Sequence, residues 1–188
     1  MNTSPTRPPG AVDDAPVQEF SNCHVGIVAQ LDKLALLPAL AEAAHQARQI
    51  AASLRQFFRD VVLAHHAEEE QELFPAVLAS AEAGAEHDEV AAMISRLARE
   101  HRHVEAQFKA LDDALHDLAR GRDAAVDAKA VAALVTAYQG HAAFEETHFL
   151  PRARDILSRN EDHMAALGMS LHARHAMADV LRRYGTAL

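Results

Sequence analysis

Two eleven-residue stretches hold the side chains best suited to do chemistry. His65 to Pro75 reads HHAEEEQELFP, and His141 to Pro151, 76 residues later, reads HAAFEETHFLP. Superposed, both give H-x-x-x-E-E-x-x-[LF]-[FL]-P, which pairs His65 with His141 and Glu69 with Glu145. On a helix, a histidine and a carboxylate four residues apart share a face, about 40° from one another at 3.6 residues per turn. Two such helices facing each other aim two imidazoles and two carboxylates at one point. That is the outline of a metal site.

The repeat extends upstream. His24 is followed by Ile27, Leu31 and Leu34, and His101 by Val104, Phe108 and Leu111, at the same offsets of 3, 7 and 10. The lone histidine precedes its H-x-x-x-E by 41 residues in the first copy and by 40 in the second. The chain is thus built twice over, as a one-histidine helix followed by a His-x-x-x-Glu helix. Glu-x-x-His, the other helical metal pattern, occurs at Glu42–His45 and Glu145–His148 but at unrelated places in the repeat, so the H-x-x-x-E register is preferred.

Helical phase sorts the 13 histidines. His65 has Phe58 and Leu54 at −7 and −11, whereas His66 has Arg59 and Arg55 there, so His65 is expected inward and His66 towards solvent or a flank. The same test favours His101, with Ile94 and Val90 behind it, over His103, with Arg96 and Arg99. His141 follows Leu134 and Tyr138, and His24 stands between Phe20 and Leu31. Burying such groups without partners costs about 1–3 kcal/mol apiece, a cost that a bound cation removes. His45, His66, His87, His103, His116, His163, His172 and His175 are expected at the surface or supporting the ligands from outside. His148 and Glu72, at matching positions past the two carboxylates, are expected to lend such support. Glu68 and Glu70 read as a solvated acidic face, and Cys23 as a small core residue. Tyr138 either hydrogen-bonds a bound ligand or packs.

Helices must position these residues, and the composition suits helices. The chain has 188 residues, 7 glycines, no tryptophan and 24% charged residues, the profile of one all-helical soluble domain. A net charge of −9 with no basic stripe argues against nucleic acid as a partner. No uninterrupted apolar run reaches the roughly 20 residues of a membrane span, so no membrane partner is expected. The N-terminus lacks a basic-then-apolar signal pattern, and the single Cys23 excludes an internal disulfide. Both fit a cytoplasmic location.

The fold expected is all-α: an up-down-up-down four-helix bundle with an additional C-terminal helix and a disordered N-terminal tail. Residues 1–17, with four of the seven prolines, form the tail. The bundle spans 18–158. Its first helix is expected from about Glu19 to Leu37, ended by Pro38, and its second from about Ala41 to Ala79, bent or broken near Pro75. A connection at 83–88 leads to a third helix, capped by Asp88 and reaching about Ala119. A turn at Gly121 and Asp123 precedes a fourth helix from about Ala124 to Leu157, with Pro151 near its end. A fifth helix, from Asn160 to about Tyr184, packs on the bundle within residues 159–188.

The ordered pattern His24, His65-x-x-x-Glu69, His101, His141-x-x-x-Glu145, with its E-E-x-x-L-F-P tail, resembles the hemerythrin-like (HHE cation-binding) family over about residues 19–158. The resemblance implies a centre of two non-haem iron ions with an oxo or hydroxo bridge. Glu69 and Glu145 are then bridging ligands, and His24, His65, His101 and His141 terminal ones. Independently of the family, imidazole with carboxylate suits iron, zinc or manganese. The family's oxygen carriers place a second histidine four residues after the third-helix histidine and an aspartate five after the fourth-helix one. Here those positions hold Glu105 and Glu146. About two positions of two octahedral irons then stay open. Glu105, which forms a third H-x-x-x-E with His101, either fills one of them or stays on the helix surface.

A more open, more anionic site favours oxidation over reversible oxygen carriage. The function expected is dioxygen or nitric-oxide binding or reaction, in sensing or in an iron or redox stress response. The alternatives are a di-iron oxidoreductase consuming oxygen or peroxide, an iron-centre repair protein (whose usual N-terminal Cys-bearing segment does not occur here), and a structural bundle stabilised by metal. Whether the protein is an enzyme, and whether it has a protein partner or self-associates, stay open.

Overall fold

The computed structural model describes residues 15–159, and every regular element among them is helical. Most of the tail and the fifth helix lie outside the described residues. The chain divides into two compact units, Met1–Gln46 and Ala47–Leu188.

The first helix, α1, runs from Ala15 to Phe57 with Pro38 inside it. The expected break at Pro38 is therefore absent. A proline removes one helical hydrogen bond, at a cost of about 3 kcal/mol, but the flanking Leu and Ala residues are strong helix formers. In the first unit α1 exposes Phe20, Ile27, Leu31 and Leu34. Cys23 is likewise exposed, not the small core residue expected. By length and composition alone, the helical stretch beginning at Gln18 is apolar enough to cross a membrane. Counting uninterrupted runs passes over this, because Asp32 and Lys33 split the stretch; a core helix of a soluble protein meets the same test.

In the second unit, α1 passes through a π-helical turn at Phe58–Val62 into α2 (Leu63–Glu68). A second π turn at Glu69–Leu73 leads into α3 (Phe74–Ser80). After a short connection, α4 runs from Ala85 to Ala119 and α5 from Ala128 to Phe144. A third π turn at Glu145–Phe149 leads into α6 (Leu150–Leu157). Gly84, at φ 102°, turns the chain into α4 in a conformation open to glycine and few others. Asp88 does not cap α4: it lies in the first turn with an exposed side chain. Asp127 caps α5, its Oδ1 accepting the backbone N–H of Lys129 at 2.8 Å, so this helix starts at Ala128 and not near Ala124.

Two apolar clusters form the core of this unit. One joins Phe74 and Val77 of α3, Val90 and Leu97 of α4, and Phe149, Ala153 and Ile156. The other joins Ala51, Phe58 and Val62 to Val104, Phe108, Leu111 and Leu115 of α4, with Phe58 and Phe108 stacked at 3.7 Å. Along α4 the first cluster ends at Leu97 and the second begins at Val104. His101 lies between them on the same face. Truncating Leu97 to alanine is expected to cost about 2–5 kcal/mol of stability by the usual cost of a core cavity.

At the edge of the second cluster, Arg55 grips Asp112 with two bonds, Nε to Oδ1 at 2.6 Å and Nη2 to Oδ2 at 3.0 Å. Its Nη1 lies 2.7 Å from His116 Nδ1. The hydrogen bond from Arg55 holds the Asp112 carboxyl below its ordinary value, against the opposing effect of burial. Asp112→Asn should lower stability by about 1–2 kcal/mol in urea unfolding at pH 7, the range for a charge-assisted bond at a half-exposed site. Because the folded-state pKa is depressed, the difference from wild type is full above the ordinary aspartate value. It fades as pH falls through the lowered one.

Candidate metal centre

Each helical segment changes character where it crosses the middle of the second unit. Going along the chain, buried apolar side chains give way to His66 and Glu69, then to Phe74 and Val77. On α4 the sequence is Leu97, His101, Val104; on the last segment His141 and Glu145 precede Phe149 and Ala153. A belt of buried polar residues thus lies between two apolar layers.

The backbone of this belt is unusual in the same way in both halves of the repeat. Phe74 N–H bonds to Glu69 O and Leu150 N–H to Glu145 O, five residues back, where an α-helix reaches four. Pro75 and Pro151 follow directly, in the first turn of α3 and α6. A proline offers no N–H to the preceding turn, and the helix restarts after it in the register that the wider turn leaves. The bend or break expected near each proline is therefore a π turn that begins on the motif glutamate.

The π turn at Phe58–Val62 decides which of two adjacent histidines points inward. An additional residue in a turn rotates everything after it by about 100°. The buried face consequently runs Ala51, Phe58, Val62, His66, Glu69. His66 is 1% exposed, while the side chain of His65 is 41% exposed. This corrects the phase reading, which extrapolated an ideal helix from Phe58 and turned His66 outward.

The ligand atoms of His66, His101 and His141 lie within 4.8 Å of one another, as do those of His65, Glu69 and Glu145. His66 stacks on His101 at 4.0 Å between ring centres, and His141 stands edge-on to His101 at 4.9 Å. Glu69 joins the groups, with Oε1 3.4 Å from His65 Nε2 and Oε2 3.2 Å from His101 Nε2. His141 Nε2 is 3.7 Å from Glu145 Oε2. The structure therefore brings His65, Glu69, His101, His141 and Glu145 together and adds His66. Neither group includes His24, which lies on α1 in the unit Met1–Gln46. Glu105 is in neither group and faces His66 Nδ1 at 3.1 Å.

The outer nitrogen of each buried histidine has a carboxylate. Besides Glu105 at His66, Glu70 lies 2.8 Å from His101 Nδ1 and Glu100 3.4 Å from His141 Nδ1. Glu70 is thus no solvated surface group, and Glu100 went unnoticed in the sequence. Both partnerships join residues more than 30 positions apart on different helices, and no local pattern signals them. His148 is exposed, beside Thr147 and stacked on Phe144 at 5.0 Å, so it lends the ligands no support. Tyr138 packs near the rings of His66 and His141, and burial, with the carboxyls of Glu69 and Glu145, pushes its phenol pKa up.

What remains without hydrogen bonds is the inner edge. His66 Nε2, His101 Nε2, His141 Nε2, Glu69 Oε2 and Glu145 Oε1 are all buried without a hydrogen bond, His101 Nε2 and Glu69 Oε2 meeting as an ion-pair contact at 3.2 Å. The protonation equilibria show the same strain. Burial, then the neighbouring His101 and His141, lowers His66 to about 4 although Glu105 opposes this. At His101 burial is outweighed by Glu69 and Glu70, and the pKa rises. Burial and the facing Glu69 push Glu145 up to about 9, whereas Glu69 is held down by His101 and Glu145 despite its burial. Two carboxyls this close cannot both ionise without a cation. A mixed set of imidazole nitrogens and carboxylate oxygens, unpaired and convergent, fits a divalent ion of the iron, zinc or manganese type.

His66→Ala is expected to weaken metal binding roughly tenfold or more, about 1.4 kcal/mol or above. His103→Ala, on the exposed side of α4, should leave it unchanged. Competition of each variant against a chromophoric chelator measures both.

A family model described as the hemerythrin HHE cation binding domain matches residues 15–153. No curated protein and no solved structure matches the chain.

Proposed function

The chain belongs to the hemerythrin HHE cation-binding domain family, and from that premise we propose that its buried belt holds two non-haem iron ions for reaction with dioxygen or nitric oxide. The role is sensing or an iron or redox stress response. The observation that carries this reading is the set of five buried ligand atoms with no hydrogen bond, three imidazole nitrogens and two carboxylate oxygens. Left empty, each costs about 1–3 kcal/mol, and a cation removes that cost from all of them together.

The residues divide into roles. Glu69 and Glu145 would be the carboxylate ligands shared between the cations: Glu69 turns one oxygen towards His65 and the other towards His101, and Glu145 faces both Glu69 and His141. His65, His66, His101 and His141 would be terminal donors. When bound, the iron pair supplies electrons to the diatomic ligand. The protein's part is to exclude water and to stabilise charge. The apolar clusters on either side of the belt keep the local dielectric low, which strengthens the pull of the two carboxylates on the cations.

A second reading, a di-iron oxidoreductase, draws on a cavity of about 600 Å³ between α4 and α5. Arg96, Glu100, His103, Gln107, Thr136 and His141 line it, so it gives a small molecule a way to the edge of the belt.

Absorption of the anaerobically iron(II)-loaded protein, before and after admission of air, tests the proposal. Visible charge-transfer bands that appear with air and persist are expected. Bands that vanish under vacuum indicate reversible oxygen carriage, and metal bound without any bands overturns the di-iron reading. Glu69→Ala or Glu145→Ala should abolish binding of the second iron; two irons per chain in either variant would remove the bridging assignment.

A further inference from the structure

We propose that Glu70, Glu100 and Glu105 are positioning residues that lock the three buried imidazoles with Nδ1–H outward and Nε2 bare and inward, and that Arg102 couples two of these locks. The proposal rests on the reading of the belt as a metal centre and goes on to say what holds its ligands in place.

A neutral imidazole carries one N–H and one lone pair, and an ionised carboxylate only accepts hydrogen bonds. A histidine held against a carboxylate must therefore present its N–H there and its lone pair at the other nitrogen. All three fully buried histidines are arranged in this way. His101 meets Glu70 at Nδ1 (2.8 Å), His66 meets Glu105 (3.1 Å) and His141 meets Glu100 (3.4 Å). In all three the nitrogen without a hydrogen bond is Nε2. His65 differs in its far greater exposure; Glu69 faces its Nε2 at 3.4 Å, as Glu69 and Glu145 face the inner Nε2 of His101 and His141 at 3.2 and 3.7 Å.

Each lock crosses between helices. Glu70, from the π turn after α2, holds a histidine of α4. Glu105 of α4 holds a histidine of α2, and Glu100 of α4 holds a histidine of α5. Ring orientation and helix register are thus set by the same bonds. Guanidinium groups brace the carboxylates from outside. Arg102 Nη2 bonds Glu70 while its Nη1 lies 3.5 Å from Glu105, so one side chain spans the His101 and His66 locks. Arg96 bonds Glu100 at 2.7 Å. A Glu105 so engaged is a support of His66 and not itself a metal ligand. Outer carboxylates also make the imidazoles more basic donors, which favours the higher oxidation state of a bound metal.

Nitrogen-15 NMR of the full-length, histidine-labelled protein loaded with diamagnetic zinc tests this directly. Wild type is expected to show three slowly exchanging Nδ1–H protons, with His66, His101 and His141 coordinated through Nε2. Glu70→Ala should lose the His101 proton signal and bind zinc about 10–100-fold more weakly, the usual cost of removing such an outer partner. Glu70→Gln, whose amide oxygen still accepts, should keep the signal. Glu100 and Glu105 should act likewise on His141 and His66. Arg102→Ala should loosen the His101 and His66 protons and spare that of His141. Coordination through Nδ1, or alanine variants with unchanged proton signals and zinc affinity, would overturn the proposal. If wild type takes up neither zinc nor iron, the metal reading fails by itself. The metal-free tautomers of His66 and His141 then still decide on positioning: Nδ1–H upholds it and Nε2–H refutes it.

Discussion

Desolvation of a polar belt between two apolar layers is the constraint on which the rest of this structure depends. Leu97 and Val104 on α4 are fully buried, and so is His101 between them. The same alternation occurs on the other segments that cross the unit. Inside such a belt a bare nitrogen or carboxylate oxygen has no water to turn to. Small domains are stable by only about 5–15 kcal/mol, so five buried atoms without a hydrogen bond at one level are a large liability unless something satisfies them. A cation does so for every member at once, which is why the belt makes sense as a site and not as a core.

The protein shapes this belt through its backbone as well as its side chains. In both halves of the repeat a π turn opens on the motif glutamate and a proline closes it. The wider turn sets the angle at which Glu69 and Glu145 meet each other, and the proline restarts an ordinary helix that carries the apolar layer beyond. Motif and backbone irregularity coincide, so the conspicuous E-E-x-x-L-F-P and E-E-x-x-F-L-P segments encode a turn as much as a ligand.

Charge is arranged in shells around the same centre. The inner edge is made of imidazole lone pairs and two carboxyls, the next shell of Glu70, Glu100 and Glu105, and the outermost of Arg96 and Arg102. Each shell has the sign that the one inside it needs. The chain as a whole is acidic, at −9, yet Arg96 and Arg102 stand beside the support carboxylates. The stretch matched by the hemerythrin HHE cation binding domain model, residues 15–153, includes the residues of all three shells.

The amino-acid sequence by itself determined the helical class, the repeated His-x-x-x-Glu motif and nearly all the chemistry-bearing residue types, because period and repeat are local properties of a chain; it did not determine that the first two expected helices run on as one. His65, Glu69, His101, His141 and Glu145 were legible as a set for that reason. Tertiary structure alone decided that His66 is buried and His65 half-open, since a single π turn at Phe58–Val62 shifts the phase on which any extrapolation along a helix relies. It decided, too, that Glu70, Glu100 and Glu105 hold the imidazoles, because those contacts join residues from different helices and leave no trace in spacing. Even the passage of α1 through Pro38 was a matter of competition between one lost hydrogen bond and many helix-favouring neighbours. Where a property depends on local period and motif, the sequence suffices; where it depends on a shift of helical phase or on which faces meet, only the folded chain can supply it.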